Sequence, residues 1–224
     1  MKLDKNCLAC NSIADCIDVL DCRNQRRFGA GETVYSTGDD QDGVWQVLSG
    51  HVALRVYTQA GEVVLLRMVS RGGVFGYRSF LTGEPRSCCA QVINGAELKH
   101  VPASMLSRMM EREPRLGHAL QLAMADAFRD AHERILRMST QSARAKFLLL
   151  CAEMAKANGQ TAAPAGFAVK LPISYQDIAQ ILAISPETMS RTTRRLQEEG
   201  TIAMAGRYIT VAAGWQACCD IDGF

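Results

Sequence analysis

The sequence has no long apolar run, so we expect neither a membrane-spanning helix nor a signal peptide. Nowhere in its 224 residues does a stretch approach the roughly 18–20 uninterrupted apolar residues that a membrane-spanning helix needs. Residues 1–6 are not followed by the apolar segment of a signal peptide. We therefore expect a cytoplasmic protein without a membrane partner.

The sequence also lacks a large excess of charge of either sign. The formal net charge is only +2, so the chain has no general basic coat, and binding to nucleic acid would require a local basic patch. The sequence contains no phosphate-binding loop and no recognisable pair of nucleophile and base. We therefore do not expect an enzyme.

Cysteine, in contrast, is abundant. The chain has nine cysteines, an odd number that cannot pair fully, and a reducing cytoplasm disfavours structural disulfides. Four of them crowd the first segment, and thiolates at such short spacing are ligands for an iron–sulfur cluster, zinc or copper(I). Cys16 also falls on the apolar face of a short helix, which leaves a core role open for it. The four are Cys7, Cys10, Cys16 and Cys22.

Residues 28–102 have the pattern of short strands separated by glycine-containing turns. Many such strands at this spacing are typical of an antiparallel barrel or jelly roll that encloses a pocket. The clearest predicted strands are residues 33–35, 44–48, 51–57, 63–68 and 90–93.

Helical periodicity begins near Ser104 and becomes one long helix after Pro114. Its apolar stripe suits the partner helix of a parallel two-fold dimer, and the alternative is packing on the chain's own barrel. A further helix is predicted over residues 141–156, followed by a loop over 158–166. The stripe consists of Leu116, Leu120, Ala123, Ala127, Ile135 and Met138.

Residues 174–199 predict two short helices around a tight turn. Ser174 is the expected cap of the first helix, with Asp177 as its capping-box acid. Ser185 is the expected cap of the second, with Pro186 at its first position. The outward side chains of the second helix suit the DNA major groove, although a surface helical hairpin is the simpler alternative. They are Glu187, Ser190, Arg191, Arg194 and Arg195.

A small hairpin follows this helical pair. Residues 201–204 and 208–211 predict two strands joined through residues 205–207, where Gly206 suits a tight turn. Two helices followed by such a hairpin form a winged helix, and Arg207 at the tip is a candidate phosphate contact.

Barrel, long helix and winged helix in this order resemble the CRP/FNR superfamily of bacterial transcription regulators, from residue 27 onward. The resemblance implies an α+β fold: an antiparallel β-roll like the cyclic-nucleotide-binding domain, a long dimerisation helix and a winged helix-turn-helix. The implied domains are a cysteine-rich segment (1–27), a sensory roll (28–102), a dimerisation helix (103–139) and a DNA-binding domain (140–224).

The recognition helix resembles that of FNR-type members, which carry the pattern Glu-x-x-Ser-Arg. Glu187, Ser190 and Arg191 match it, which implies an inverted repeat of TTGAT-type half-sites. The chemistry agrees, because Glu accepts from cytosine N4 and Arg donates to guanine O6 and N7. The resemblance also implies double-stranded DNA, a second copy of the chain and RNA polymerase as partners.

The effector pocket differs from that of cyclic-nucleotide members. Those members hold the phosphate with an Arg-Ser pair, matched here by Arg86 and Ser87, and the ribose with a Glu, whose place is taken by Tyr77. A phenol cannot replace a carboxylate that accepts two hydroxyl protons, so cyclic AMP is disfavoured.

The first cysteines resemble those of an FNR-type 4Fe-4S cluster. Cys7, Cys10 and Cys16 match its spacing, but the position of the fourth ligand, in the barrel, is Lys99. Cys22 is the simplest substitute. Cys88 and Cys89 are rivals, because a hairpin turning at residues 94–95 would bring their strand beside Lys99, and small buried residues are the alternative for this pair.

We therefore expect a homodimeric, sequence-specific transcription regulator that senses oxygen or redox state through an iron–sulfur cluster. The alternatives are a regulator of the same fold that senses nitric oxide through haem, a small metabolite or thiol oxidation, and a non-catalytic metabolite- or zinc-binding protein. The histidines that could bind haem are His51, His100, His118 and His132.

Overall fold

A computed structural model gives the fold and describes residues 14, 17, 24–59, 63–157 and 165–219. The chain divides into two compact units, Met1–Ala131 and His132–Phe224. The division falls inside the longest helix, Pro114–Thr140. Within the described residues, no helix combines the length and the apolar character that crossing a membrane requires.

The first unit is built on two antiparallel sheets. Among the described residues each sheet has four strands, in the orders β1-β8-β3-β6 and β2-β7-β4-β5. This confirms the predicted antiparallel β-roll. The strands are β1 (Gln25–Phe28), β2 (Thr33–Tyr35), β3 (Gly43–Ser49), β4 (Val52–Tyr57), β5 (Val63–Val69), β6 (Val74–Phe75), β7 (Cys89–Val92) and β8 (Ala96–Pro102).

Side chains of both sheets share one apolar core. Trp45 and Phe75 of the first sheet meet Tyr35 and Val52 of the second, and the rings of Tyr35 and Phe75 have centroids 6.0 Å apart. Each large side chain removed from water in this way contributes about 1.5–3 kcal/mol to stability. The core therefore holds the two sheets together.

Gly43 allows β3 to approach β8 closely. Its φ is +134°, and a Cβ at this position would lie 2.0 Å from the Val101 carbonyl oxygen. Only glycine fits such an approach. The carbonyl of Gly43 accepts a hydrogen bond from Arg86, one of the predicted effector-pocket residues.

Helix α1 (Tyr77–Thr82) lies between β6 and β7, and the helices α2 (Ala103–Arg112) and α3 (Pro114–Thr140) follow β8. Leu106 of α2 and Leu116 and Leu120 of α3 form a second core with Val44 and Val101 of the barrel. The described N-terminal residues Ala14 and Ile17 are helical, and Ile17 is fully buried in the same core. The barrel is thus packed against helices on this side.

The predicted apolar stripe of α3 divides into two parts. Leu116 and Leu120 are buried in their own unit, so for this half the expectation of a partner helix is wrong and packing on the barrel is correct. Further along, Phe128 and Ile135 are 64% and 62% exposed, and Met138 is 39% exposed. The homodimer remains a prediction that rests on this second half.

The second unit has the elements of a winged helix-turn-helix. Its three-stranded sheet has the order β10-β11-β9 in the described residues, and Trp215 packs edge-on against Phe167 at 5.6 Å between centroids. This confirms the predicted C-terminal fold. The elements are α4 (Ala143–Ala157), β9 (Phe167–Lys170), α5 (Tyr175–Leu182), α6 (Pro186–Glu198), β10 (Ile202–Ala205), β11 (Tyr208–Val211) and a 3-10 helix (Trp215–Cys218).

Several strands are not predicted from the sequence. In β8 the buried positions include Lys99 and His100, so the strand lacks the alternation of apolar and polar residues that reveals a half-buried strand. The four-residue β1 begins at Gln25, inside the segment that we assigned to residues 1–27. The predicted domain boundaries otherwise remain predictions.

Candidate functional site

The first helix of the helix-turn-helix begins with the capping box that the sequence predicts. Ser174 Oγ accepts a hydrogen bond from the Asp177 backbone N–H at 3.1 Å. The Ser174 N–H donates to Asp177 Oδ2 at 3.3 Å. These two bonds satisfy N–H groups that the first helical turn leaves without partners, and they fix where α5 starts.

The turn between the helices depends on one residue with a left-handed backbone. Ala183 has a φ of +50°, and the Ile184 N–H after it donates to the Ala179 carbonyl at 3.0 Å. Ser185 then caps α6, because its Oγ accepts from the Thr188 N–H at 3.1 Å, and Pro186 occupies the first helical position. The direction of α6 is therefore fixed by local contacts.

The inner face of α6 packs into the second unit. Met189 and Leu196 are 2% and 1% exposed, and the buried Thr193 donates its hydroxyl hydrogen to the Met189 carbonyl at 3.1 Å. The predicted recognition residues occupy the opposite, exposed side of the helix, and most of them follow the three- and four-residue spacing of one helical face. The exposed residues are Glu187, Ser190, Arg191, Arg194 and Arg195.

The charged side chains on this face have different interaction partners. The pKa of Glu187 is held below its usual value, mainly because its carboxylate accepts a hydrogen bond from the Ser185 side chain, with a smaller contribution from Arg191. Glu187 is thus a carboxylate acceptor at neutral pH. Arg195 instead turns along its own helix, where its Nε donates to Glu199 Oε1 at 2.9 Å.

The hairpin predicted as the wing has Gly206 and Arg207 as its tip. Ala205 pairs with Tyr208 across the turn, and Arg207 is exposed. Tyr175 of α5 donates its hydroxyl hydrogen to the Gly206 carbonyl at 3.4 Å. This link between the first helix and the wing was not predicted, because it joins residues 31 positions apart.

A basic side chain on the wing was also missed. The Lys170 ammonium lies 5.3 Å from the centroid of the Tyr208 ring, on neighbouring antiparallel strands in which Lys170 and Tyr208 are direct partners. Lys170 and Arg207 thereby place two cations on the hairpin and its neighbouring strand. The sequence does not predict β9 as a strand, so the pairing of β9 with β11, which brings Lys170 to Tyr208, is not predicted either.

In the barrel, Arg86 is bound by groups of its own chain. Its Nη1 donates to the Gly76 carbonyl at 2.7 Å. Its Nη2 donates to the Gly43 carbonyl at 2.8 Å and to Asp42 Oδ1 at 2.5 Å, and the guanidinium carbon lies 4.4 Å from the Tyr35 ring centroid. Arg86 is 2% exposed. In this arrangement the guanidinium binds the barrel itself, and no phosphate is needed to balance its charge.

Asp42 is the anion that balances this charge. Its pKa is lowered from 3.8 to about 2, first by a hydrogen bond with His100 and then by one with Arg86. His100 Nε2 lies 3.2 Å from Asp42 Oδ2, and its ring is stacked on Trp45 at 4.3 Å. The buried side chains of His100 and Arg86 therefore share one carboxylate, whose own side chain is about half-exposed.

The other two predicted pocket residues differ in solvent exposure. Ser87 is exposed, whereas Tyr77 is 7% exposed in the second core. The Tyr77 hydroxyl accepts from Arg67 Nη1 at 3.1 Å and donates to the Ala123 carbonyl at 3.4 Å. The structure thus brings Tyr77 to α3, while Arg86 faces β3 and the turn before α1.

The predicted cluster ligands of the first segment lie outside the described residues, namely Cys7, Cys10, Cys16 and Cys22. Within residues 14, 17, 24–59, 63–157 and 165–219, no group of three or more His, Cys, Asp or Glu side chains is arranged to hold a metal. Lys99, which takes the place of a barrel cysteine, is buried, and its Nζ donates to the Ile17 carbonyl at 2.7 Å.

The hairpin argument for Cys88 and Cys89 is wrong. Cys89 begins β7 and Cys88 directly precedes it. Strand β7 pairs with β2 and β4, whereas Lys99 belongs to β8 in the other sheet, so the turn at residues 94–95 carries the chain between sheets. Burial raises the pKa of both thiols. Cys89 is buried and Cys88 is partly buried, which favours the alternative of small packed side chains for this pair.

The remaining histidines do not form a group. His51 Nδ1 lies 3.3 Å from Asn94 Oδ1, and His118 and His132 are exposed positions of α3. Of the four candidates for haem, His100 alone is buried, and its Nε2 faces a carboxylate. The described geometry therefore gives haem no specific support.

Comparison with known proteins agrees with this architecture. Residues 25–113 match the cyclic nucleotide-binding domain, and residues 145–213 match the Crp-like helix-turn-helix domain. The nitrogen fixation regulation protein FixK of Azorhizobium caulinodans is 30% identical over 169 residues, which cover 75% of this chain and 67% of that protein.

Two further relatives cover more of the chain at lower identity. The fumarate nitrate reduction regulatory protein of Klebsiella oxytoca is 24% identical over 87% of this chain and 78% of its own length. The solved structure of FixK2 from Bradyrhizobium japonicum superimposes with a TM-score of 0.77 at 22% identity, covering 89% of this chain and 98% of that one. The latter likeness concerns the fold.

A barrel followed by a helix-turn-helix with an exposed, charged second helix defines a DNA-binding transcription regulator. With both domains matched and FixK similar over most of the chain, this protein belongs to the CRP/FNR superfamily of bacterial transcription regulators.

Proposed function

We propose that this regulator acts as a homodimer, reads TTGAT-type inverted repeats through α6 and reports oxygen or redox state through its N-terminal cysteines. The observation that carries the DNA part is the arrangement of α6, whose buried face fixes the helix while Glu187, Ser190 and Arg191 remain exposed near its N-terminal end. The N-terminal residues of a recognition helix are those that reach base edges.

Arg191 is the residue that we expect to contribute most to the recognition of the DNA sequence. A bidentate arginine–guanine contact contributes about 1–3 kcal/mol of discrimination against a wrong base. Arg191→Ala should therefore weaken binding to a TTGAT-type inverted repeat by roughly 5- to 150-fold and remove most of the preference over a scrambled duplex. Fluorescence anisotropy on both duplexes at fixed salt measures this change.

Arg207→Ala is the matched control, because Arg207 is exposed at the wing tip and is proposed to contact phosphate. Its loss should weaken binding to both duplexes about equally and reduce the salt dependence of binding. Unchanged selectivity in Arg191→Ala would rule out the recognition assignment.

The exposed half of α3 supports a second copy of the chain as partner. Phe128, Ile135 and Leu136 are each more than 60% exposed on this helix, and large apolar side chains exposed on one helix suit a partner helix. In this proposal the pairing of the two α3 helices sets the distance between the recognition helices, which must fit half-sites about one DNA turn apart.

The sensing part of the proposal rests on the donor set of the first segment. Four thiols, Cys7, Cys10, Cys16 and Cys22, provide the ligand number of a 4Fe-4S cluster. Lys99 donates to the main chain at Ile17 from the barrel position that supplies a thiol in FNR-type members, so Cys22 is the proposed fourth ligand. The Klebsiella relative is named for the regulation of fumarate and nitrate reduction, which agrees with a redox signal.

An anaerobic purification tests the sensing proposal directly. A bound cluster should give a brown protein with broad absorption near roughly 400 nm that bleaches in air. A sharp Soret band would transfer the proposal to haem and nitric oxide. A colourless protein would leave thiol oxidation, a small metabolite or zinc as the signal, and metal analysis separates zinc from the other two.

Two further elements of the proposal follow from membership of the family. RNA polymerase is the expected partner of a DNA-bound regulator, and the cytoplasm is the expected location. We propose no enzymatic activity.

A further inference from the structure

Tyr77 connects three parts of the first unit. It is the first residue of α1, and its ring is buried in the core with Leu116 and Leu120. Its hydroxyl accepts a hydrogen bond from Arg67 of β5 and donates one to the Ala123 carbonyl of α3. A continuous path of hydrogen bonds therefore runs from a barrel strand, through the start of α1, to the long helix.

The phenolic hydroxyl completes this path because it can donate and accept at once. A phenol has both a donor and acceptor lone pairs, so it can face a guanidinium on one side and a carbonyl on the other. A carboxylate, which cyclic-nucleotide members carry at this position, is only an acceptor when ionised and would repel the Ala123 carbonyl. Phenylalanine would keep the packing of Tyr77 and lose both hydrogen bonds.

Ala123 lies where α3 leaves its own core. Before it, Leu116, Ala119 and Leu120 are buried, and after it Phe128 is 64% exposed. Between Ala123 and Ala131, where the first unit ends, the helix continues for about 12 Å at 1.5 Å per residue. The Tyr77 contact at Ala123 is thus made at the end of the buried part of α3, where it can hold the following residues of the unit in place.

We infer that Tyr77 is a positioning residue that fixes α3 to the barrel through Arg67, at the place where cyclic-nucleotide members have a ligand-binding carboxylate. The link between barrel and helix is then built into the chain and needs no bound nucleotide. Its effect on DNA affinity rests on the proposed function, since that effect requires α3 to set the spacing of two recognition helices.

Tyr77→Phe separates the hydrogen bonds from the packing. The variant should increase amide hydrogen exchange several-fold in α3 at residues 120–131 and should weaken binding to a TTGAT-type duplex about 3- to 10-fold, as expected for the loss of one or two hydrogen bonds. Arg67→Ala should have a similar but smaller effect. In the Tyr77→Phe background, Arg67→Ala should add nothing, because its partner is already absent.

Matched controls are available in the same unit. Tyr57 is 53% exposed on β4, and Arg71 is exposed in the turn after β5. Tyr57→Phe and Arg71→Ala make the same chemical changes elsewhere, and both should leave the exchange of α3 and the DNA affinity as in the natural sequence.

Each outcome decides a separate statement. Unchanged exchange in α3 of Tyr77→Phe would overturn the positioning role altogether. Faster exchange with unchanged DNA affinity would overturn its effect on DNA binding. If the unsubstituted protein fails to bind the duplex, the proposed function fails, while the exchange comparison still decides whether Tyr77 holds α3.

Discussion

Replacing Arg86 tests whether the barrel uses this arginine for its own stability or for a phosphate. Arg86→Leu replaces the charged side chain with an apolar one of moderate size. It removes three hydrogen bonds, to Gly76, Gly43 and Asp42. It also removes the guanidinium from the face of the Tyr35 ring. If Arg86 served only a ligand, the protein without ligand should tolerate this change.

The expected loss of stability follows from these contacts. A buried acceptor left without a donor costs about 1–3 kcal/mol, and a partly desolvated cation–π contact contributes about 0.5–2 kcal/mol. Asp42 keeps a side chain that is 54% exposed, so water can solvate its charge after Arg86 is removed, which reduces the loss. We therefore expect the barrel to lose about 3 kcal/mol of unfolding free energy, or roughly 10 °C in melting temperature.

The two tryptophans allow the two units to be followed separately. Trp45 is buried in the barrel and Trp215 in the DNA-binding unit. In a Trp215→Phe background, urea unfolding followed by fluorescence reports the barrel alone. Arg78→Ala is the control, because Arg78 forms an exposed ion pair with Glu84 at 2.6 Å and should cost at most about 1 kcal/mol.

Two results would refute this reasoning. The first is a loss in Arg86→Leu no larger than that in Arg78→Ala. The second is a rise in the barrel's stability on addition of cyclic AMP, since a ligand at 100 times its Kd stabilises by about 2.7 kcal/mol. We expect no such rise, because the guanidinium that would hold the phosphate already binds Asp42 and two carbonyls.

The same polar group predicts a pH dependence. The folded pKa of Asp42, about 2, lies below its ordinary value of 3.8, so its contribution to stability is present above about pH 4 and is lost as the pH falls towards 2. Because the side chain is half-exposed, we expect about 1 kcal/mol. Compared with the natural sequence, Asp42→Asn should lose less stability between pH 4 and pH 2.

Three further changes test other parts of the molecule. Cys10→Ala should abolish the 400 nm absorption and lower the iron content, and a normal iron content would remove Cys10 from the ligand set. Ile135→Lys should dissociate the dimer in analytical ultracentrifugation, because Ile135 is 62% exposed in the single chain and a lysine there costs little unless a partner covers it. Ser174→Ala should destabilise the DNA-binding unit by about 1 kcal/mol through loss of the α5 cap, as measured by Trp215 fluorescence.

Each of these three has its own control. Cys151→Ala makes the same substitution at a buried cysteine of α4 and should keep the iron. Gln121→Lys adds the same charge at an exposed polar position of α3, and a dimer lost there as well would point to charge rather than to an apolar interface. Ser174→Asp supplies another capping acceptor and should restore most of the stability.

The helix-turn-helix could be predicted from the sequence because its signals are local. Ser174, Ser185 and Pro186 each act within one helical turn of their own position, and the buried face of α6 follows from helical spacing. The exposure of Glu187 and Arg191 follows from the same periodicity. Neighbouring residues therefore carried almost all of the information that this part of the fold required.

The roles of Arg86 and Lys99 could not be predicted in this way. Arg86 binds Asp42 across 44 positions, and Lys99 binds the Ile17 carbonyl across 82. Such contacts depend on which strands share a sheet, and the error about Cys88 and Cys89 has the same origin, because consecutive strands β7 and β8 belong to different sheets. Sheet order is set by the packing of the whole unit and leaves little trace in a short stretch of sequence.

The burial of Ile17 bears on how this regulator can change during evolution. A sensory segment attached as a loose tail could be lost or exchanged without harm to the rest of the chain. Here Ile17 fills the core shared by barrel and α3, and its carbonyl accepts from the buried ammonium of Lys99. Removing Ile17 would leave a cavity and an ammonium without this acceptor, so this position contributes to the folding of the barrel unit whatever signal the cysteines report.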